Sequence, residues 1–359
     1  MGALTAAAAE DVAAALRRDG EVEGPLKGHH RETYAVRIHP TGSRLKVSEP
    51  RPDVFWYDYR CCGSEEELIR QLRPYVRRIP RVLRVDGQVC VSIFIEGRTL
   101  GETSAVDTAI DPHYLQQIAQ LFRNLARFDT RILERQGICT RPGAVDKQDS
   151  TAFLRRMVDH TREHVYERNR TEYGRLFEAL GVPEHALDRF VDRVEKQGGL
   201  TRRPYRLLHA DLHRENFIVD PDRRLWTIDW ELAQVGDPLY DLVTHLHLMR
   251  YPQEQADEMF ERWQRAVGEE VSRGADADLP RYLDYKRMQS VYTDVIRGAV
   301  SLGASPDQSR LQHATAAVQR ALEAAKQPLG IEKTPTPSEV ELVLSDWHRG
   351  RGRVESVTA

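Results

Sequence analysis

One run in this chain combines residue types and spacing that fit a chemical task. His209-Ala210-Asp211-Leu212-His213-Arg214-Glu215-Asn216 has the form HxDxxxxN with apolar stretches on both sides, and Asp229 closes the later stretch LWTI. Transfer of a phosphoryl group from a nucleotide needs a carboxylate to take the acceptor's hydroxyl proton. It also needs oxygen ligands that hold Mg²⁺ against the triphosphate. Asp211, on a tight loop after a strand, suits the first task. Asn216 and Asp229 suit the second, because an amide beside a carboxylate supplies oxygens without piling negative charge against phosphate. Asp220-Pro221-Asp222 predicts a hairpin turn that puts Asn216 and Asp229 at neighbouring strand ends.

The elements around this run read in two blocks. Ala3 to Arg18 predicts an alanine-rich helix. From Gly24 short strands follow: PLKGHHRETYAVRI, the turn HPTG, SRLKVSEP, and the hairpin RVLRVDGQVCVSIFI turned at Asp86-Gly87. Between them Ser64 and Glu67 form a capping box, which predicts a helix over SEEELIRQLRPYV. After a bend at Glu96-Gly97 the periodicity becomes helical through Lys326, interrupted only by the strand-rich island around Asp211. The expected organisation is a strand-rich N-lobe over 1–96, a helical C-lobe over 97–330 and an extension over 331–359.

Composition excludes several classes. Apolar residues at 40% and charged residues at 30% suit a globular chain, and a net charge of -3 gives no bulk attraction to nucleic acid. No apolar run reaches the length of a membrane span. The first twenty residues lack the basic start of a signal peptide, and the four cysteines show no CxxC spacing. A reducing, cytoplasmic setting is the expectation, with neither a nucleic-acid nor a membrane partner.

HADLHRENFIVD followed by LWTIDWE resembles the catalytic and metal-binding loops of the aminoglycoside phosphotransferase and choline kinase-like family. GDPLYDLVTHL, Gly236 to Leu246, resembles that family's turn and helix after the metal aspartate. The resemblance implies an α+β, two-lobed protein-kinase-like fold: a small antiparallel sheet with one helix, and a larger helical lobe holding a catalytic β-hairpin. It implies ATP and Mg²⁺ as cofactors, Asp211 as base, Asn216 and Asp229 on the metal, and His209 as the histidine that orients the loop. By the same resemblance adenine meets the hinge backbone near Phe94 and Ile95.

The N-terminal block departs from the kinase pattern GxGxxG. Its loop is Gly24-Pro-Leu-Lys-Gly28-His-His-Arg-Glu, where only Gly28 allows close backbone approach to phosphate. Lys46, one strand beyond, is the expected phosphate-binding lysine, since Lys27 is the only other lysine before Lys147. Its ion-pair partner is sought among Glu65, Glu66 and Glu67. Glu65 is chosen because it shares a helix face with Ile69, Leu72 and Val76.

Competing readings remain in view. His209, Asp211 and His213 could serve as ligands of a metallohydrolase, but His245 and His247 fall on opposite helix faces and complete no such site. Three functions stay open: phosphorylation of a small-molecule hydroxyl, phosphorylation of Ser or Thr in a biosynthetic peptide, or a silent nucleotide-binding scaffold. Only Trp230 to Val235 separate Asp229 from Gly236, too few for a peptide-docking activation segment. Tyr282, Tyr285 and Tyr292 are expected in the core. The tail SEVELVLSDWHR predicts a helix capped by Ser338 and Glu341, folding back on the core or docking a partner protein through 338–348.

Overall fold

The computed structural model describes residues 20–26, 28, 30–38, 42–52, 54–86, 89–139, 148–303 and 307–355. The helix expected over Ala3 to Arg18 and the tips of the HPTG and Asp86-Gly87 turns lie outside them. The described chain forms two compact units. The first holds the described residues within 20–56, 60–139 and 205–271, and the second those within 57–59, 148–204 and 272–355. This division follows a different line from the 96/97 boundary read in the sequence, because the strand block and the island around Asp211 pack as one body.

In the first unit β1 (Gly20–Glu23), β2 (Arg31–Ile38), β3 (Arg44–Pro50), β4 (Val82–Asp86) and β5 (Val89–Ile93) build one antiparallel sheet in the order β1-β2-β3-β5-β4. Val36, Val47 and Val89 point to one face and exclude water together, the expected outcome of β-branched residues on a pleated surface. Helix α1 (Glu65–Leu72) starts at Ser64, whose hydroxyl accepts the Glu67 N–H at 3.2 Å, and it buries Leu68, Ile69 and Leu72. Gly97 permits the bend after β5. Its φ is 148°, and a Cβ there would lie 2.2 Å from the Val219 carbonyl oxygen.

Beyond that bend come β6 (Arg98–Thr99), α2 (Leu100–Thr103), α3 (Pro112–Arg127) and α4 (Arg131–Arg135). In the second unit α5 (Ser150–His160) runs through a π turn into α6 (Arg170–Ala179), and α7 (Ala186–Lys196) follows. The chain then returns to the first unit with β7 (Arg206–Leu208), β8 (Phe217–Val219), β9 (Leu225–Thr227) and β10 (Gln234–Gly236). The β8-β9 hairpin pairs with β6, and β10 pairs with β7. The hairpin turn is tied by Asp220, whose carboxylate accepts the N–H groups of Asp222 and Arg224 and the Trp226 indole N–H. Helix α8 (Pro238–Met249) begins at Asp237 with proline in its first turn, as the Gly-Asp-Pro sequence predicts. Helices α9 (Gln253–Val267) and α10 (Glu269–Ser272) follow.

The second unit closes with α11 (Ala275–Ser301), α12 (Gln308–Leu329) and α13 (Pro337–Glu355). Tyr282, Tyr285 and Tyr292 are buried there, as expected. The tail helix starts two residues earlier than expected. Thr336 and Glu339 form the reciprocal cap instead of Ser338 and Glu341, because Pro337 takes the first helical position, where its missing N–H costs nothing. Val340 and Leu344 are fully buried, and the Trp347 ring stacks on Tyr173 while its indole N–H donates to the Glu172 carbonyl at 3.1 Å. The apolar face considered for partner docking is covered inside this unit.

Candidate active site

The loop after β7 is held from behind. Ala210 adopts φ +65°, a conformation that costs an L-residue, and its neighbours must enforce it. Asp241 on α8 does so: its carboxylate accepts the His209 N–H at 3.0 Å and the Ala210 N–H at 2.7 Å. Burial pushes that carboxyl up to about 7, against the pull of the two N–H groups. His209 is buried against Trp230, and its Nε2 donates to the Ile228 carbonyl at 3.1 Å. Burial drives its pKa down to about 4, so the ring is neutral at pH 7.

His245 supports the same loop. Its Nδ1 donates to the Leu212 carbonyl at 2.9 Å and its Nε2 accepts the Tyr251 hydroxyl at 3.0 Å. The Arg214 side chain, itself buried, donates to the carbonyls of Met249, Ser104 and Thr108. His209 and His245 each spend one ring nitrogen on a main-chain carbonyl, and among the described residues no group of three His, Cys, Asp or Glu side chains at this loop is close enough to hold a zinc ion. Sequence reasoning missed the roles of Asp241, Arg214 and Tyr251. A carboxylate inside the apolar run PLYDLV was the visible signal for Asp241.

Asp211, one quarter exposed, presents its carboxylate at the front of the loop. The Asn216 amide nitrogen donates to the Asp211 carbonyl at 2.9 Å and to its Oδ2 at 3.0 Å. The Asn216 amide oxygen is thereby the atom left to serve as a ligand. Asn216 sits opposite Ile228, whose N–H donates to the Asn216 carbonyl at 3.0 Å, so Asp229 is its neighbour across the hairpin. Asp229 also has positive φ, +62°. Its carboxyl is pushed up to about 7, first by burial and then by Glu65, Glu231 and Asp211, with Lys46 opposing. Two oxygen donors among several carboxylates suit a hard divalent cation such as Mg²⁺.

On the sheet side Lys46 lies on β3 opposite Ala35 and Ser92. Burial raises the pKa of both Glu65 and Asp229 and the Lys46 charge opposes it, yet no direct ion pair joins Lys46 to Glu65 among the described residues. The expected pair is replaced by a different arrangement. Glu65 Oε1 accepts the Trp230 N–H at 2.9 Å, and Arg31 places its guanidinium 3.9 Å from Glu65, 2.7 Å from Glu66 and 3.7 Å from Glu231. Glu66 is buried on Arg31.

Gly28 is exposed, and a Cβ there would come within 3.0 Å of the Arg31 carbonyl. Its neighbours Lys27 and His29 lie outside the described residues. His30 stacks on Trp56 at 4.1 Å and reaches Glu231 at 3.2 Å, so side chains fix this glycine-poor loop. At the bend after β5 the Phe94 N–H donates to the Arg44 carbonyl at 3.1 Å and the Phe94 ring lies under the Arg44 guanidinium. Phe94 therefore offers no N–H to a ligand. The Ile95 main chain takes no hydrogen bond among the described residues.

The model of the phosphotransferase enzyme family matches residues 21–282, and the chain belongs to that family. Solved structures share its protein-kinase-like fold, a small antiparallel sheet followed by a helical region. A choline/ethanolamine kinase family protein from Mesorhizobium loti superposes with a TM-score of 0.56 at 18% identity, over 93% of this chain and 98% of that one. An ethanolamine kinase of Plasmodium vivax gives 0.56 at 12% identity over 89% and 83% of the two chains. The macrolide 2'-phosphotransferase of Brachybacterium faecium gives 0.52 at 16% identity over 86% and 96%. No curated protein matches the sequence. The chain is thus a phosphotransferase.

Proposed function

We propose that this enzyme moves the γ-phosphoryl group of ATP to a hydroxyl of a small molecule. The observation that carries the reading is the convergence of Asp211, Asn216 and Asp229 on a loop locked by Asp241. Asp211 accepts the acceptor's hydroxyl proton on its carboxylate as the oxygen attacks phosphorus in line. Asn216 and Asp229 would hold Mg²⁺, which when bound neutralises triphosphate charge. Lys46 steadies the phosphates, Glu65 holds the backbone beside Asp229, and the Ile95 main chain and Gly28 bound the nucleotide. Positioning and charge compensation supply most of the rate.

A small acceptor is supported by the short connection from Asp229 into β10, which pairs with β7 and leaves no activation segment for a peptide. Similar structures are named for choline, ethanolamine and macrolide acceptors, all small molecules. No described helix is long and apolar enough to cross a membrane, and no disulfide joins the four cysteines. The test is calorimetric titration of ATP and GTP with and without Mg²⁺ on wild type and Asp229→Ala, followed by a phosphate-transfer screen of hydroxylated small molecules and Ser/Thr peptides. Mg²⁺-dependent binding that the variant loses supports the reading. Unchanged Mg²⁺ dependence in the variant, or transfer to peptides alone, overturns it.

A further inference from the structure

Cys61 and Cys62 are far from Cys139 in sequence, and their spacing alone suggests nothing. The fold brings all three together inside the first unit. Cys62 and Cys139 form an isolated antiparallel bridge, and the Gly63 N–H donates to the Ile138 carbonyl at 3.1 Å beside it. This makes the two cysteines a pair flanked by, rather than engaged in, the bridging hydrogen bonds, the register in which facing side chains lie closest. Cys61 turns into the same space. The three sulfur atoms lie within 4.8 Å of one another, and all three residues are buried.

We propose that Cys61, Cys62 and Cys139 bind one thiophilic d¹⁰ cation, Zn²⁺ or Cu⁺. Three thiolates with no carboxylate or imidazole in the group select a soft ion over Mg²⁺ or Ca²⁺. The spacing fits: sulfurs bonded at about 2.3 Å to a tetrahedral ion stand about 3.8 Å apart. A shift of a few tenths of an ångström to about 1 Å per sulfur would therefore close the site. Binding breaks three S–H bonds, forms three sulfur–metal bonds and passes three protons to solvent. All three residues are buried, which disfavours a redox switch, since that needs an exposed thiolate.

The consequence is structural. Cys61 and Cys62 lie one glycine before Ser64, the cap of α1, and α1 begins with Glu65. An ion shared with Cys139 would pin that helix start to the 138–139 segment from outside the phosphotransfer site.

The full-length chain, purified without a histidine tag and reduced, is titrated with Cd²⁺ as an optical probe. It is titrated separately with Zn²⁺ and with Cu⁺ supplied from a colourimetric chelator. The expected result is a thiolate-to-cadmium charge-transfer band that saturates at one equivalent, with about three protons released and a melting temperature that climbs with Zn²⁺ concentration. Cys139→Ser should weaken binding at least about 100-fold, since even outer-shell changes cost 10–100-fold. Cys90→Ser, on β5 outside the cluster, should leave it unchanged. Retention of Zn²⁺ or Cu⁺ against matched chelators supports the proposal, and the preference names the ion. No band in folded wild type, equal affinity in Cys139→Ser, or a Cys62–Cys139 disulfide as the resting form overturns it.

Discussion

The carboxylate of Glu65 reaches the main chain of Trp230, accepting its N–H at 2.9 Å. Trp230 directly follows Asp229, so the first residue of α1 helps fix the backbone that presents the Asp229 carboxylate. In Glu65→Ala that N–H loses its acceptor, while Glu65→Gln keeps a carbonyl oxygen for it. Steady-state kinetics should show the alanine variant losing about 10–100-fold in kcat/KM, consistent with a misplaced carboxylate, and the glutamine variant much less. Equal losses in the two would mean that charge, not positioning, is what Glu65 supplies.

Asp211 touches the reacting hydroxyl in this reading but not the nucleotide. Asp211→Ala should bind Mg²⁺-ATP with little change and lose about 10²–10⁴-fold in kcat, the usual contribution of a general base. Single-turnover assays beside binding titrations separate the two effects. Wild-type turnover in this variant would remove Asp211 from the mechanism.

Asp241 feeds two buried N–H groups at once, those of His209 and Ala210. A side-chain amide at this position offers a single acceptor oxygen, so Asp241→Asn should strand one donor and cost about 1–3 kcal/mol of stability. Activity should fall with it, because Ala210 would relax from its left-handed backbone and move Asp211. Chemical denaturation and kcat measured together test this. A stable variant with low kcat would assign Asp241 to loop geometry rather than folding.

Acid should weaken the fold through its buried histidines. His245 has its pKa pushed down to about 4 by burial, against 6.5 for the free group. Between those values the unfolded chain binds a proton that the native chain refuses. The stabilisation is complete above pH 6.5 and is lost as pH falls through 4. A shift of that size corresponds to about 3 kcal/mol, of which His245→Asn should abolish the pH-dependent part. Denaturant midpoints from pH 7 to pH 4 should therefore fall less steeply in the variant. Parallel slopes in both proteins would show that His245 is not the group responsible.

What the sequence determined by itself is the part encoded over short distances. Asp211, Asn216 and Asp229 are legible because a loop and one hairpin bring them together without help from the rest of the chain. The same holds for Ser64 as a helix cap and for the helix opened at Asp237. Tertiary structure decided what depends on elements distant in sequence. It set Arg31 among Glu65, Glu66 and Glu231, a choice that turns on how β2 docks against α1 and the segment after Asp229. It tied Asp241 to the loop at Ala210, and it buried Val340 and Leu344 in the second unit's core. It gathered Cys61, Cys62 and Cys139. The physical reason is that periodicity and spacing report which face of its own element a side chain occupies. Which partner covers that face is set by chain topology and by the burial of charge it enforces.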